Sequence, residues 1–248
     1  MIITSLNNEK IKYLTKLNQK KYRSDTFIVE GKHLVEEAYK KNLVKLLIVL
    51  EDYKLDNIDN VDNVDTIKVS YDVMKKISLT DTPPKIMAEV IKKEDKKIGN
   101  KVIILDDITD PGNLGTIIRS AVAFNFDTVI LSNNTTDLYN PKVIRATEGM
   151  LFNINIIRDN LLNIIPKLKE EKYFILGTKV TNGKDITKYR NINKIALIMG
   201  NETRGMNRDL DNLCDDYIYI KMNNKCESLN VGVSASILMY ELNKWITY

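Results

Sequence analysis

Three short stretches in the second half of the chain bring together residue types that can do chemistry. The first is Asp110-Pro111-Gly112-Asn113-Leu114-Gly115-Thr116-Ile117-Ile118-Arg119. Pro111 and Gly112 make a sharp turn, Gly115 permits close backbone approach, and Arg119 falls about one to two turns into the helix that should follow. A guanidinium there is a standing cation, well suited to an anion and a poor base. The second stretch is Met199-Gly200-Asn201-Glu202-Thr203-Arg204-Gly205. Its glycines free the backbone to wrap a ligand, while Asn201 and Glu202 supply polar groups. The third is Ile220-Lys221-Met222 followed by Glu227-Ser228-Leu229-Asn230-Val231-Gly232-Val233-Ser234-Ala235. Singly, each has an ordinary reading: a turn with a solvent-facing arginine, a common Gly-Asn-Glu turn, and a helix cap at Ser228 or Asn230. None is a Walker or dinucleotide fingerprint, because no Gly-Lys-Ser/Thr occurs and the glycine spacing differs. Their joint occurrence in this order is the stronger signal.

What the chain lacks narrows the chemistry further. His33 is the only histidine, which nearly excludes Ser-His-Asp hydrolysis, paired-histidine metal sites and a two-histidine carboxylate triad. Cys214 and Cys226 are the only cysteines, too few for a disulfide framework or a four-ligand zinc site, so no metal is expected.

The elements that must hold these stretches follow from the apolar pattern. Beyond residue 100, strands are expected at 102–105, 128–131, 155–157, 173–176, 195–199 and 217–220, with helical segments between them, one of them at 114–124. A closing helix spans 231–245. Such alternation predicts a parallel sheet covered by helices, with each chemical stretch placed just after a strand, where open α/β sheets hold ligands. Upstream, a basic helix over 5–23 precedes strands at 27–29, 46–50 and 86–91 and helices at 33–41 and 71–78. Residues 51–66 read as a surface loop. The charged run at 92–97 reads as a linker, giving two domains, 1–95 and 96–248.

Bulk composition adds limits. Net charge is +4, mildly basic, which alone does not establish a nucleic-acid partner. Lys20, Lys21 and Arg23 sit in the most basic segment and are the candidates for phosphate contact, although a solvated helix face reads the same. The first residues lack a basic n-region and apolar core, and no window reaches the ~18 apolar residues of a bilayer span. A reducing, cytoplasmic setting is expected.

The motifs carry a resemblance. Asn113-x-Gly115-x-x-x-Arg119, Gly200-Asn201-Glu202-x-x-Gly205 and Ser228-Leu229-Asn230-Val231 resemble the three signatures of the SpoU/TrmH group of SPOUT RNA methyltransferases. Phe27-Ile28-Val29-Glu30-Gly31-x-x-Leu34-Val35 is similar to the L30-like substrate-binding domain of these enzymes. Lys221 stands where the group usually has proline, and Gly232 where it often has serine. The resemblance implies an S-adenosyl-L-methionine-dependent 2′-O-ribose methyltransferase and an α/β fold. In that fold a small L30e-like domain precedes a SPOUT parallel-sheet domain with a deep trefoil knot, which general rules of chain threading would not suggest. It implies that Gly200, Ile220 and Leu229 contact the cofactor, with Thr178 and Met222 nearby. Arg119 would act as base or phosphate clamp, oriented with the ribose by Asn113, Glu202, Ser228 and Asn230. A structural alternative for Glu202 is an ion pair with Arg204 or Arg119. The resemblance further implies RNA as partner, ribosomal RNA ahead of transfer RNA, and a homodimer in which Ile237, Leu238, Tyr240, Leu242 and Trp245 of the closing helix take part. A non-catalytic assembly factor or an antibiotic-resistance enzyme of the same fold would share these features.

Overall fold

The computed structural model describes residues 2–54, 64–94, 97–189 and 192–243. Two compact units emerge, one of Met1–Glu94 with Tyr139–Phe152, the other of Asp95–Leu138 with Asn153–Tyr248.

In the first unit the chain runs β1 (Ile2–Ile3), α1 (Glu9–Lys16), β2 (Thr26–Glu30), α2 (Lys32–Tyr39), β3 (Val44–Leu50), β4 (Thr66–Val69), α3 (Tyr71–Ile77) and β5 (Ile86–Ile91). These strands form one sheet in the order β1-β4-β3-β5-β2. β4 runs parallel to β1 and β3, and β5 runs antiparallel to β3 and β2. The basic helix is shorter than the expected 5–23. Asn8 caps it by accepting from the Lys10 N–H, and the extended backbone at Gln19 ends it, leaving a separate single turn at Lys20–Tyr22. Ile11, Leu14 and Leu17 enter the core against Ile28, Ile48, Met74 and Met87. Much of the 51–66 loop and part of the 92–97 linker lie outside the described residues.

The second unit begins with β6 (Lys101–Leu105), α4 (Pro111–Ala123) and β7 (Thr128–Leu131). The chain then contributes α5 (Pro141–Ala146) to the first unit, where the Tyr139 and Phe152 rings lie 4.6 and 6.3 Å from Phe27. It continues as β8 (Asn155–Arg158), α6 (Leu161–Glu170), β9 (Phe174–Thr178), β10 (Ile195–Met199), β11 (Asp216–Ile218) and α7 (Val231–Asn243). All six strands are parallel, ordered β11-β9-β10-β6-β7-β8. β6 and β10 pair residue for residue from Lys101/Ile195 to Leu105/Met199. Their apolar runs are buried, as a sheet covered on both faces requires. α6 seals one face with Leu161, Ile164, Ile165 and Leu168 against Ile130, Ile175 and Ile198. α4 and α7 pack together in steps of four residues. Thr116 meets Gly232, the Ser120 and Ser236 hydroxyls lie 2.7 Å apart, and Phe124 sits edge-on to Tyr240 at 5.6 Å. No described helix is long and apolar enough to cross a membrane.

Candidate active site

Strand order reverses beside β6. The chain moves outward through β7 and β8, then crosses to β9 and inserts β10 between β9 and β6. Such a reversal opens a crevice at the carboxyl ends of the strands. The three chemical stretches leave β6, β10 and β11 at that edge, and Thr178 ends β9 there.

The stretch after β10 is shaped by its glycines. A Cβ on Gly200 would lie 2.2 Å from the Met206 nitrogen and 2.3 Å from the Gly205 carbonyl carbon, so no other residue fits without moving backbone. Gly205 has φ +71°, in the left-handed region that favours glycine. Asn201 and Gly205 exchange backbone hydrogen bonds of 2.9 and 3.0 Å, and the Asn201 side chain accepts from the Thr203 and Arg204 N–H groups while donating to the Asp107 carbonyl at 2.7 Å. Buried Asp106 accepts from the Asn207 N–H at 2.6 Å and closes the far end of the loop.

This fixed loop aims Glu202 at the start of α4. One carboxylate oxygen accepts from the Thr109 N–H and hydroxyl at 3.4 and 3.2 Å. The other accepts from the Asp110 N–H at 3.3 Å and from Asn113 Nδ2 at 3.1 Å. Burial pushes the carboxyl up, but the Asn113 amide and the Asp110 and Thr109 N–H groups outweigh it and hold Glu202 below the usual carboxylate range. Glu202 makes no ion pair with a described residue; Arg204 instead lies 3.5 Å from Asp107. Asn230 Nδ2 donates to Asn113 Oδ1 at 2.9 Å. The Asn230 Oδ1 accepts from the Gly232 and Val233 N–H groups and so is the cap of α7, a task that Ser228 does not perform. A continuous link Asn230–Asn113–Glu202 thus joins all three stretches.

Beside it lies a cavity of about 530 Å³, within the ~300–1,000 Å³ of small-molecule sites. Thr178, Gly200, Glu202, Ile220, Met222, Ser228 and Leu229 all line it. Asn113 and Asn230 stand off it, tied to its rim through Glu202, and Arg119 does not line it. Arg119 is exposed on α4, six residues beyond Asn113, and pairs with no described residue. Lys179, Val180, Thr181, Met206 and Asp211 also line the cavity, although sequence reasoning did not select them. The three at 179–181 follow β9 directly, so a ligand site at strand ends was their one available signal. In the first unit, Lys20 and Lys21 are exposed, whereas Arg23 is a correction to the phosphate-contact set. Its side chain is buried, with Nη1 donating to the Leu17 and Asn18 carbonyls, so it closes the end of α1.

The lining suits S-adenosylmethionine. Ile220, Leu229, Met206 and Leu238 offer apolar surface for a flat base, and Glu202 and Asp211 bring anionic charge for a sulfonium. Among the described residues no group of three or more His, Cys, Asp or Glu is placed to hold a metal.

A parallel sheet in this order, with this cavity at its carboxyl edge, defines an S-adenosylmethionine-dependent methyltransferase. Residues 100–240 match the SpoU rRNA methylase family and residues 8–88 match the MRM3-like substrate binding domain; the chain belongs to the SpoU rRNA methylase family. It is 37% identical over 244 residues to the 23S rRNA (guanosine(2553)-2′-O)-methyltransferase RlmP of Bacillus subtilis, covering 97% of this chain and 98% of that one. The crystal structure of an AdoMet-bound rRNA methyltransferase from Sinorhizobium meliloti superposes with a TM-score of 0.87 at 26% identity, over 100% of this chain and 99% of that one. The SpoU methyltransferase AviRb of Streptomyces viridochromogenes, solved with AdoMet, shares the fold at a TM-score of 0.85 and 23% identity, over 96% and 98% of the two chains.

Proposed function

We propose that this protein methylates a ribose 2′-oxygen of 23S ribosomal RNA, at the guanosine equivalent to the position named for the Bacillus subtilis relative. The observation that carries the reading is the Asn230–Asn113–Glu202 link at the rim of the cavity, which brings the three stretches to one place. Bound S-adenosylmethionine supplies a methyl group on a positively charged sulfur. The chain's own side chains position the acceptor, and positioning is a large part of the rate of such a transfer. Exposed Arg119 clamps an RNA phosphate, a role that an unpaired guanidinium fills better than that of base. Glu202, Asn113 and Asn230 keep α4 and α7 in register, and Ser228 faces the cavity beside them.

Residues 1–95 would select the RNA, with Lys20 and Lys21 on phosphates, while 96–248 carry the transfer. The match of residues 100–240 to the SpoU rRNA methylase family supports a threaded, knotted C-terminal segment. A cytoplasmic setting follows from a ribosomal substrate, and two copies pair through the exposed apolar stripe of α7. Incubating the protein with ribosomal RNA from cells that lack it, followed by mapping of ribose methylation, tests the reading. We expect one new 2′-O-methyl guanosine in 23S RNA, abolished by Arg119→Ala with S-adenosylmethionine affinity retained. Undiminished turnover of that variant would sink the role given to Arg119, and methylation of transfer RNA alone would sink the substrate.

A further inference from the structure

α1 and the turn after it carry a run of charge with aromatic rings set into it. Residues 9–23 hold six basic side chains, Lys10, Lys12, Lys16, Lys20, Lys21 and Arg23, against one acid, Glu9. Lys12 pairs with Glu9 at 2.8 Å, and Arg23 is buried against backbone carbonyls. Lys16, Lys20 and Lys21 are exposed and pair with no acid among the described residues. Two tyrosines stand among them, Tyr13 42% and Tyr22 41% exposed. Lys21 Nζ lies 4.8 Å and Lys16 Nζ 5.8 Å from the centre of the Tyr22 ring. Tyr13 precedes Lys16 by three residues on α1 and so shares its face. Lys45 Nζ lies 5.8 Å from the Tyr13 ring, whose hydroxyl is held by donating to Glu89 at 2.7 Å.

Lysines alone would make a solvated face. Here the cations flank half-exposed rings, one of them held by its own hydroxyl. A partner that covers such rings must bring flat π-surfaces spaced between anionic groups. Single-stranded RNA does so, because its unpaired bases stack on aromatic side chains while its phosphates meet the lysines. A duplex keeps its bases stacked inside, and an acidic peptide offers charge without flat rings. We propose that Tyr13, Tyr22, Lys16, Lys20 and Lys21 form a stacking strip that takes unpaired nucleotides of the RNA substrate. The proposal rests on RNA being the substrate.

The test is fluorescence anisotropy on the full chain, with a short labelled single-stranded oligoribonucleotide and a hairpin duplex of the same composition. Wild type prefers the single strand. Tyr22→Leu weakens that binding on the order of tenfold, as loss of one stacked base should, and leaves the salt dependence unchanged. Tyr22→Phe restores it. Tyr22→Gln, which keeps a long side chain beside the lysine stems, reproduces the loss if Tyr22→Leu melts early. Lys20→Gln with Lys21→Gln instead flattens the slope of log K on log salt by about 0.7 for each phosphate contact removed. Wild-type affinity in Tyr22→Leu, or equal binding of single strand and duplex, overturns the strip. The two readings separate: methylated 23S RNA with unaltered binding by Tyr22→Leu removes the strip alone, and tenfold weaker binding without any ribose methylation removes the substrate alone.

Discussion

Asn230 performs two tasks with one side chain, and they can be separated. Its Oδ1 caps α7 at the Gly232 and Val233 N–H groups, while its Nδ2 reaches Asn113 and through it Glu202. Serine caps a helix about as well as asparagine but carries no amide, so Asn230→Ser keeps the first task and removes the second. We expect the thermal midpoint to stay near wild type while methyl transfer falls, whereas Asn230→Ala also loses about 1 kcal/mol of stability. If Asn230→Ser transferred methyl at the wild-type rate, the link would be structural only. Sequence alone left Ser228 and Asn230 equal as caps, because either residue type suits the position. Only the backbone path, which leaves Ser228 facing the cavity, decides between them. Arg23 shows the opposite failure: its charge pointed outward to RNA, yet the turn at Lys20–Tyr22 folds it back onto the Leu17 and Asn18 carbonyls.

Elements buried on both faces were the most legible. The apolar runs of β6, β7 and β10 stand at their expected positions, since a central parallel strand has no polar face to blur its limits. The two-residue β1 and the half-exposed β4 show no such run, and their pairing depends on distant partners rather than local pattern. The segment between β9 and β10 was equally hidden, although it is tied to the cavity side of the sheet by β11. Asp216 on β11 accepts from Lys184 Nζ at 2.6 Å and from the Tyr189 hydroxyl at 2.5 Å. Those two donors hold its carboxyl down at about 2, against an ordinary 3.8. A carboxyl lowered on folding contributes stability that is fully present above its ordinary value and is lost as pH falls through the lower one. Unfolding by urea across the acid range should therefore show wild-type stability dropping from about pH 4 towards 2, with a shallower drop in Asp216→Asn. Parallel curves for the two proteins would show that this segment is held by other contacts.

At the scale of the molecule, chain order and spatial grouping diverge. Tyr139–Phe152 belongs to the first unit although the methyltransferase sheet has already begun with β6, and no change of composition announces it. What draws it there is a pair of aromatic contacts with Phe27, invisible until the fold brings residue 27 and residue 152 together. The proposed pairing of two copies rests on a different surface. α7 buries Val231, Ala235, Leu238, Met239 and Leu242, yet Val233, Ile237 and Tyr240 remain 46, 37 and 49% exposed along one stripe of the helix; Trp245 lies outside the described residues. An apolar stripe at this spacing on a packed helix is covered economically by its own copy across a two-fold axis, because one patch then serves both partners. Fully burying an apolar side chain is worth roughly 1.5–3 kcal/mol and covering the exposed part of each of these contributes a fraction of that, while an aspartate in their midst would have to be desolvated without a partner. Light scattering should therefore report a dimer for the wild type and a monomer for Ile237→Asp. The variant's melting midpoint at high dilution should match that of dissociated wild type, since Ile237 is exposed within one chain. A wild-type monomer, or an Ile237→Asp protein of unchanged mass, would place the dimer elsewhere or remove it.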